Sequence, residues 1–196
     1  MIITEQMKQY IALQRTGYGN ADIARCYEKD IKKDYESIKN YLPETCEKIL
    51  DIGCGLAGID LFLSGHYQNQ TELHLLDYNK IDKAIHYGYQ KQGSIYNNLA
   101  VSAQFLKLNG VDKKKIKVHD AEQSFPCKKF DIIISLLSCG FHYPVEIYLN
   151  QIKKSKQGIV ILDIRSDSGQ IELLEKHFNS VEIIATYSKC ERVLIK

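Results

Sequence analysis

The run Ile49-Leu-Asp-Ile-Gly-Cys-Gly-Leu-Ala-Gly58, followed by Leu73-His-Leu-Leu-Asp77, constrains this chain more than any other stretch. It reads as a buried strand, a glycine turn, a helix, and a second strand ending in an acid. That is the first half of a nucleotide-binding βαβ unit. Gly53, Gly55 and Gly58 carry the G-x-G-x-x-G spacing. Glycine lets the turn adopt open dihedrals and lets a ligand approach the main chain. Asp77 stands 22 residues beyond Gly55, at the distance where a carboxylate can accept both ribose hydroxyls of an adenosine.

Asp51 narrows the ligand. It lies two positions before Gly53, at the end of the first strand. A pyrophosphate in this loop would meet a negative charge there. S-adenosylmethionine has no phosphate, and its sulfonium and α-ammonium both favour a nearby carboxylate. Leu-Asp-Ile-Gly-Cys-Gly-x-x-Gly resembles motif I of the class I S-adenosylmethionine-dependent methyltransferases, and the resemblance covers most of the chain after about residue 45. It implies S-adenosylmethionine as cofactor, with Asp51, Gly53, Cys54, Gly55 and Gly58 around its methionine portion and Asp77 on its ribose. Tyr78 or Asn79 is expected beside the adenine. Family members often place an acid after the third strand on the adenine amino group, which here selects Asp120, with Ala121 next to it.

Around that motif the chain alternates. Strands are expected near 48–52, 72–77, 115–119, 130–135, 158–164, 181–187 and 190–195. Helices are expected near 57–66, 80–91, 98–109, 144–154 and 168–178. Short apolar runs alternating with helical segments imply an α/β fold. Ile132-Ile-Ile134 and Ile159-Val-Ile-Leu162 are continuous apolar runs, as central strands buried on both faces require. A short turn near Ser188-Lys189 makes the last two strands an antiparallel hairpin, the addition by which the methyltransferase fold differs from the dinucleotide fold. The expected architecture is a seven-stranded, mostly parallel, doubly wound sheet with that C-terminal hairpin and an N-terminal helical cap. One domain over 1–196 suits the length, divided into a cap (1–45) and a cofactor-binding core (46–196).

In the cap, residues 3–15 and 20–42 look helical. Ile23, Tyr27, Ile31, Tyr35, Ile38 and Leu42 repeat at three and four, Asn20 is the expected N-cap and Pro43 the stop. Such helices often lid a site in this superfamily. Tyr18, between Gly17 and Gly19, is the expected substrate contact, and Gly17-Tyr18-Gly19 the hinge.

The loop Ser135-Leu-Leu-Ser-Cys-Gly-Phe-His-Tyr-Pro144 follows the fourth strand, and ligands of open α/β sheets lie beyond the carboxyl ends of the strands. Ser135 and Leu136 are expected to meet the cofactor through backbone groups. His142 is the expected general base and substrate contact, since an imidazole ordinarily titrates near neutral pH. Tyr143 is the second catalytic candidate. No Asn-Pro-Pro-Tyr or Asp-Pro-Pro-Tyr, the amino-methylating motif of many nucleic-acid enzymes, is present, and Pro126-Cys127 precedes the fourth strand rather than following it. Asp163 ends the fifth strand without a matching acid on the fourth, so no metal is expected.

Composition adds exclusions. Six scattered cysteines with no C-x-x-C pair argue against a disulfide or cysteine-zinc framework. A net charge of +2 singles out no polyanion, and lysine runs such as Lys113-Lys-Lys115 read as solvated loops. No apolar run approaches the ~20 residues of a membrane helix, and the N-terminus lacks a signal-peptide core, so a cytoplasmic protein away from membranes is expected. The reading is a methyltransferase for a small-molecule acceptor, a sugar or other hydroxyl compound. RNA is the less favoured partner, and a non-catalytic cofactor-binding module the third reading. Oligomeric state is not legible.

Overall fold

The computed structural model describes residues 1–18, 22–85, 88–91 and 93–196. Its strands are β1 (Lys48–Ile52), β2 (Glu72–Asp77), β3 (Ile116–Asp120), β4 (Phe130–Ser135), β5 (Lys156–Arg165), β6 (Val181–Thr186) and β7 (Cys190–Ile195). The helices are α1 (Glu5–Gln14), α2 (Ile23–Ile38), α3 (Gly58–His66), α4 (Leu99–Leu108), α5 (Glu146–Ser155) and α6 (Gln170–His177). The strands form one sheet in the order β3-β2-β1-β4-β5-β7-β6. β7 is antiparallel to both neighbours, and every other pairing is parallel. The expected sheet and its terminal hairpin are therefore present.

Alternation along the strands divides the core. Ile49, Ile132, Ile134 and Ile161 face one side, with α1 to α4. Leu50, Ile133, Val160 and Leu162 face the other, with α5 and α6. Strands covered on both faces need no polar side, which is why their sequences read as continuous apolar runs. The cap is part of this packing: Met7, Ile11, Tyr27, Ile31 and Ile38 join the cluster that contains Ile49 and Leu73.

The elements start and stop for local reasons. Thr4 accepts a hydrogen bond from the Met7 amide and opens α1. Asn20 lies outside the described residues, and the side chain that caps α2 is Asp22, which accepts from the Arg25 amide. α2 ends at Ile38, earlier than the expected 42, and passes through a 3₁₀ turn over Lys39–Tyr41. Leu42 is then extended, as the residue before a proline must be.

The helix expected over 80–91 is not formed by the described residues of that stretch. The segment runs out from β2 and returns on itself, with an isolated bridge pairing Ile81 with Tyr96. The Asp82 amide donates to the Ile95 carbonyl at 2.7 Å, and the Asp82 carboxylate accepts from the Ile95 amide at 2.8 Å. An aspartate that binds backbone in this way competes with the helix ladder. Ile81 is 49% exposed and contributes little to a buried face. Helix starts instead at Asn98, whose side chain caps the Ala100 and Val101 amides.

Candidate functional site

A cleft of about 390 Å³ opens beyond the carboxyl ends of β1, β2 and β4. Of the residues singled out in the sequence, Asp51, Gly53, Cys54, Gly55, Gly58, Asp77, Tyr78, Leu136, His142 and Tyr143 line it. Tyr18, Asp120, Ala121 and Ser135 do not. The Tyr18 hydroxyl donates to Asp30 at 2.9 Å. The Asp120 carboxylate accepts from the Glu122 amide, closing the turn after β3, and the Ala121 amide donates to the Asp77 carbonyl. The Ser135 hydroxyl donates to the Ile52 carbonyl at 2.6 Å and accepts from the Cys139 amide at 2.9 Å, so it stitches β1 to the loop after β4.

The glycine turn is anchored on β2. The Gly53 amide donates to the Leu76 carbonyl at 2.7 Å, and the Gly55 amide to Asp77 Oδ2 at 2.9 Å. Asn97 Nδ2 donates to the same Oδ2 at 2.8 Å and lies 3.0 Å from the Gly55 carbonyl oxygen, which also accepts from the Ser102 hydroxyl. Asp77 Oδ1 accepts from the Tyr78 amide at 2.7 Å. A carboxylate offers about four acceptor positions. Three are taken here, so one stays open to a ligand, and accepting a second ribose hydroxyl would displace Asn97. Burial pushes the Asp77 carboxyl up to about 6, against the downward pull of these hydrogen bonds.

Asp51 pairs with a second acid. Asp60, in the first turn of α3, is fully buried, and neither of its carboxyl oxygens has a hydrogen-bond donor among the described residues. Burial and the neighbouring Asp60 raise Asp51 well above the carboxylate range. Burial raises Asp60 to about 6, and its contact with Asp51 lowers it. Two neighbouring carboxyls out of water resist ionising together, and a cation placed beside them would favour their charged forms.

The turn is closely covered. A Cβ on Gly53, whose φ is +73°, would stand 1.9 Å from the Ser138 hydroxyl oxygen. A Cβ on Gly58 would stand 2.3 Å from the Tyr27 hydroxyl oxygen. These glycines therefore admit the chain's own side chains to the backbone.

The loop after β4 is braced on three sides. Gln170 donates to the Gly140 carbonyl and accepts from the Val145 amide. Arg165 donates to the Phe141 carbonyl at 2.8 Å and stacks its guanidinium over the Phe141 ring. The His142 amide donates to the Ser138 carbonyl at 2.8 Å. The Tyr143 and Ser138 hydroxyls lie 3.2 Å apart, and burial raises Tyr143 far enough to keep it a neutral phenol.

Sequence reasoning missed Gln14, Arg15, Asn97, Ser138, Phe141 and Tyr148, all on the cleft wall. Asn97-Asn98 held a signal: one asparagine caps a helix, which leaves the other for the site. Gln14 and Arg15 end a helix far from motif I in sequence and carry no such mark.

Among the described residues no group of three or more His, Cys, Asp or Glu is placed to hold a metal ion, and no helix is long and apolar enough to cross a membrane. No family model matches the chain, and no curated protein matches it by sequence. Solved structures do match in fold. The chain is similar to the T. thermophilus 16S rRNA N2 G1207 methyltransferase solved with AdoMet and guanosine, at TM-score 0.58 and 14% identity over 92% of this chain. It spans 44% of that protein's length. It is similar to precorrin-6y C5,15-methyltransferase from Geobacter metallireducens, at TM-score 0.60 and 13% identity, over 84% of this chain and 87% of that one. It is also similar to the 16S rRNA methylase RmtB, at TM-score 0.52 and 13% identity, over 100% and 76% of the two chains. Strand order, the antiparallel β7 and these likenesses agree: the chain has the fold of the class I S-adenosylmethionine-dependent methyltransferases.

Proposed function

We propose that this protein is an S-adenosylmethionine-dependent methyltransferase whose acceptor is a small, uncharged, hydroxyl-bearing molecule. The observation that carries the reading is the pair of acids at adjacent strand ends, Asp51 and Asp77, flanking one glycine turn inside one cleft. This donor set repels a pyrophosphate and suits a nucleoside that carries a positive charge. Asp77 would take a ribose hydroxyl on its open acceptor position, and Asp51 the cationic end.

The cofactor, when bound, supplies a methyl carbon made electrophilic by a positively charged sulfur. The chain's residues supply position and proton removal. Tyr96, Phe141, Tyr143 and Tyr148 give the remaining wall an aromatic lining. Lysine is absent from the wall among the described residues, and Arg15 is its one permanent cation. That favours a neutral acceptor over a phosphate backbone, which is held by many cations. His142 would take the proton of the acceptor hydroxyl, while Tyr143, kept neutral, would donate a hydrogen bond and orient it.

Titration calorimetry tests the cofactor: S-adenosylhomocysteine should bind, and NAD should not. Preferential binding of NAD would overturn the reading. A methyl-transfer screen over sugars, other hydroxylated metabolites and RNA tests the acceptor. Transfer to RNA alone, with affinity falling steeply in salt, would replace the small molecule by a polynucleotide.

A further inference from the structure

The end of α1 presents two groups to the cleft, the Gln14 amide and the Arg15 guanidinium. Gln14 Nε2 is buried and has no hydrogen-bond partner among the described residues. An unpartnered buried amide is costly, and a native fold that keeps one calls for an explanation. The amide lies against the glycine turn: a Cβ on Gly55 would stand 2.8 Å from Gln14 Oε1 and 3.2 Å from Nε2. Arg15 follows directly and lines the same cleft. Among the described residues its guanidinium makes one ion pair, with Asp34 Oδ2 at 3.6 Å, too long for a good hydrogen bond.

Asp34 is itself held elsewhere. Its Oδ1 accepts from Arg192 Nη2 at 3.0 Å, and Arg192 clasps Asp163 and the Ser37 hydroxyl. The partner that steadies Arg15 is thus tied to β7 and β5, and among the described residues the guanidinium donates no side-chain hydrogen bond. The neighbourhood is also polarised. Tyr27, over Gly58, feels the opposing charges of Arg15 and of Asp60 and Asp51. The cleft therefore carries the Asp51 carboxyl, backed by buried Asp60, together with an amide and a guanidinium from the end of α1. That is the pattern that receives an α-amino acid zwitterion: ammonium on the acids, carboxylate on the amide and guanidinium.

We infer that Gln14 and Arg15 form a carboxylate-reading subsite of the N-terminal cap, which grips the amino-acid end of the cofactor. The inference rests on the cofactor reading proposed above. It gives the cap a binding role of its own and makes the cleft complete only when α1 is in place.

The test compares two probes by titration calorimetry: S-adenosylhomocysteine, which carries the amino-acid group, and 5′-methylthioadenosine, which keeps the adenosine and thioether but lacks it. Wild-type protein should prefer the first. Arg15→Gln and Gln14→Ala should each weaken S-adenosylhomocysteine about ten-fold or more, the loss of a charge-assisted hydrogen bond. Affinity for 5′-methylthioadenosine should stay within two-fold. Gln14→Glu, which sets carboxylate against carboxylate, should weaken only the first probe and serves if the alanine variant folds poorly. Equal weakening of both probes would show that the two residues merely hold the cap, and would overturn the inference, as would unchanged affinity in all three variants. If wild-type protein binds neither probe, the cofactor reading fails and the inference with it. If it binds both equally, the inference alone fails.

Discussion

Arg192 on β7 grips Asp163 on β5 through two hydrogen bonds, Nε to Oδ1 at 2.7 Å and Nη2 to Oδ2 at 2.8 Å, with both side chains buried. The two residues face each other in the antiparallel register. The same guanidinium reaches Asp34 and Ser37 on α2, and Asp163 Oδ2 accepts from the Leu137 amide in the loop after β4. One fork therefore joins the cap, two interior strands of the sheet and the site loop. Burial pushes Asp163 up and the guanidinium pulls it back down.

Breaking that fork from one side should be costly. Arg192→Met leaves Asp163 buried without its partner, and should lower unfolding free energy by about 3–5 kcal/mol. Urea unfolding measures it. A loss under ~1 kcal/mol would mean that water reaches Asp163 and the network is ornamental.

Cofactor affinity should depend on pH. Asp77 and Asp60 rise from an ordinary 3.8 to about 6. In that interval the folded protein holds protons that the unfolded chain has released, so these groups lower folding stability as pH climbs through 6. A cationic ligand needs the ionised carboxyls. S-adenosylmethionine affinity should therefore increase from pH 5 to 7, about ten-fold for each group that must ionise on binding. A flat calorimetric profile would exclude both carboxyls from the site.

A histidine pair across β2 and β3 works in the opposite sense. His74 and His119 stack with ring centroids 5.1 Å apart, and His74 Nδ1 lies 2.9 Å from His119 Nε2. Burial lowers His74 from 6.5 to about 4, helped by repulsion from His119. A depressed histidine adds stability above its ordinary value and loses it as pH falls towards the folded one. His74→Phe should flatten the decline of the melting temperature between pH 6.5 and 4. An unchanged slope would assign that decline to other groups.

Close cover at the glycine turn predicts a compensating pair. Gly58→Ala sets a methyl 2.3 Å from the Tyr27 hydroxyl oxygen and 2.8 Å from Ile31 Cγ1. It should cost about 1–3 kcal/mol by overpacking. Adding Tyr27→Phe, which removes the nearest atom, should recover part of the loss in a double-mutant cycle. Additive effects would place the strain elsewhere.

The chemistry has its own prediction. With the true acceptor in hand, His142→Ala should lower turnover by roughly 10²–10⁴ while S-adenosylhomocysteine affinity holds. Asp77→Ala should do the reverse first, weakening binding by about 1.5–3 kcal/mol. Full turnover in the histidine variant would leave proximity as the agent.

Sequence by itself determined the strands, their doubly wound character and the glycine turn between two acids. Ile132-Ile-Ile134 could only be a strand covered on both sides, and Asp51 and Asp77 follow motif I at fixed spacing, because those signals are local and periodic. It misread 80–91, where a helix was expected but Asp82 ties the described backbone back onto Ile95. It could not find Gln14, Arg15, Asn97 or Ser138 as cleft residues, nor that Tyr18, Asp120 and Ser135 serve turns and stitches away from the wall. Which side chains meet over Gly53, Gly55 and Gly58 depends on the packing of α1 and α2 against the sheet and on the Arg192 fork, contacts between residues far apart in the chain, 158 positions for Asp34 and Arg192. Such contacts leave no periodic trace in the chain, so only the tertiary structure decided them.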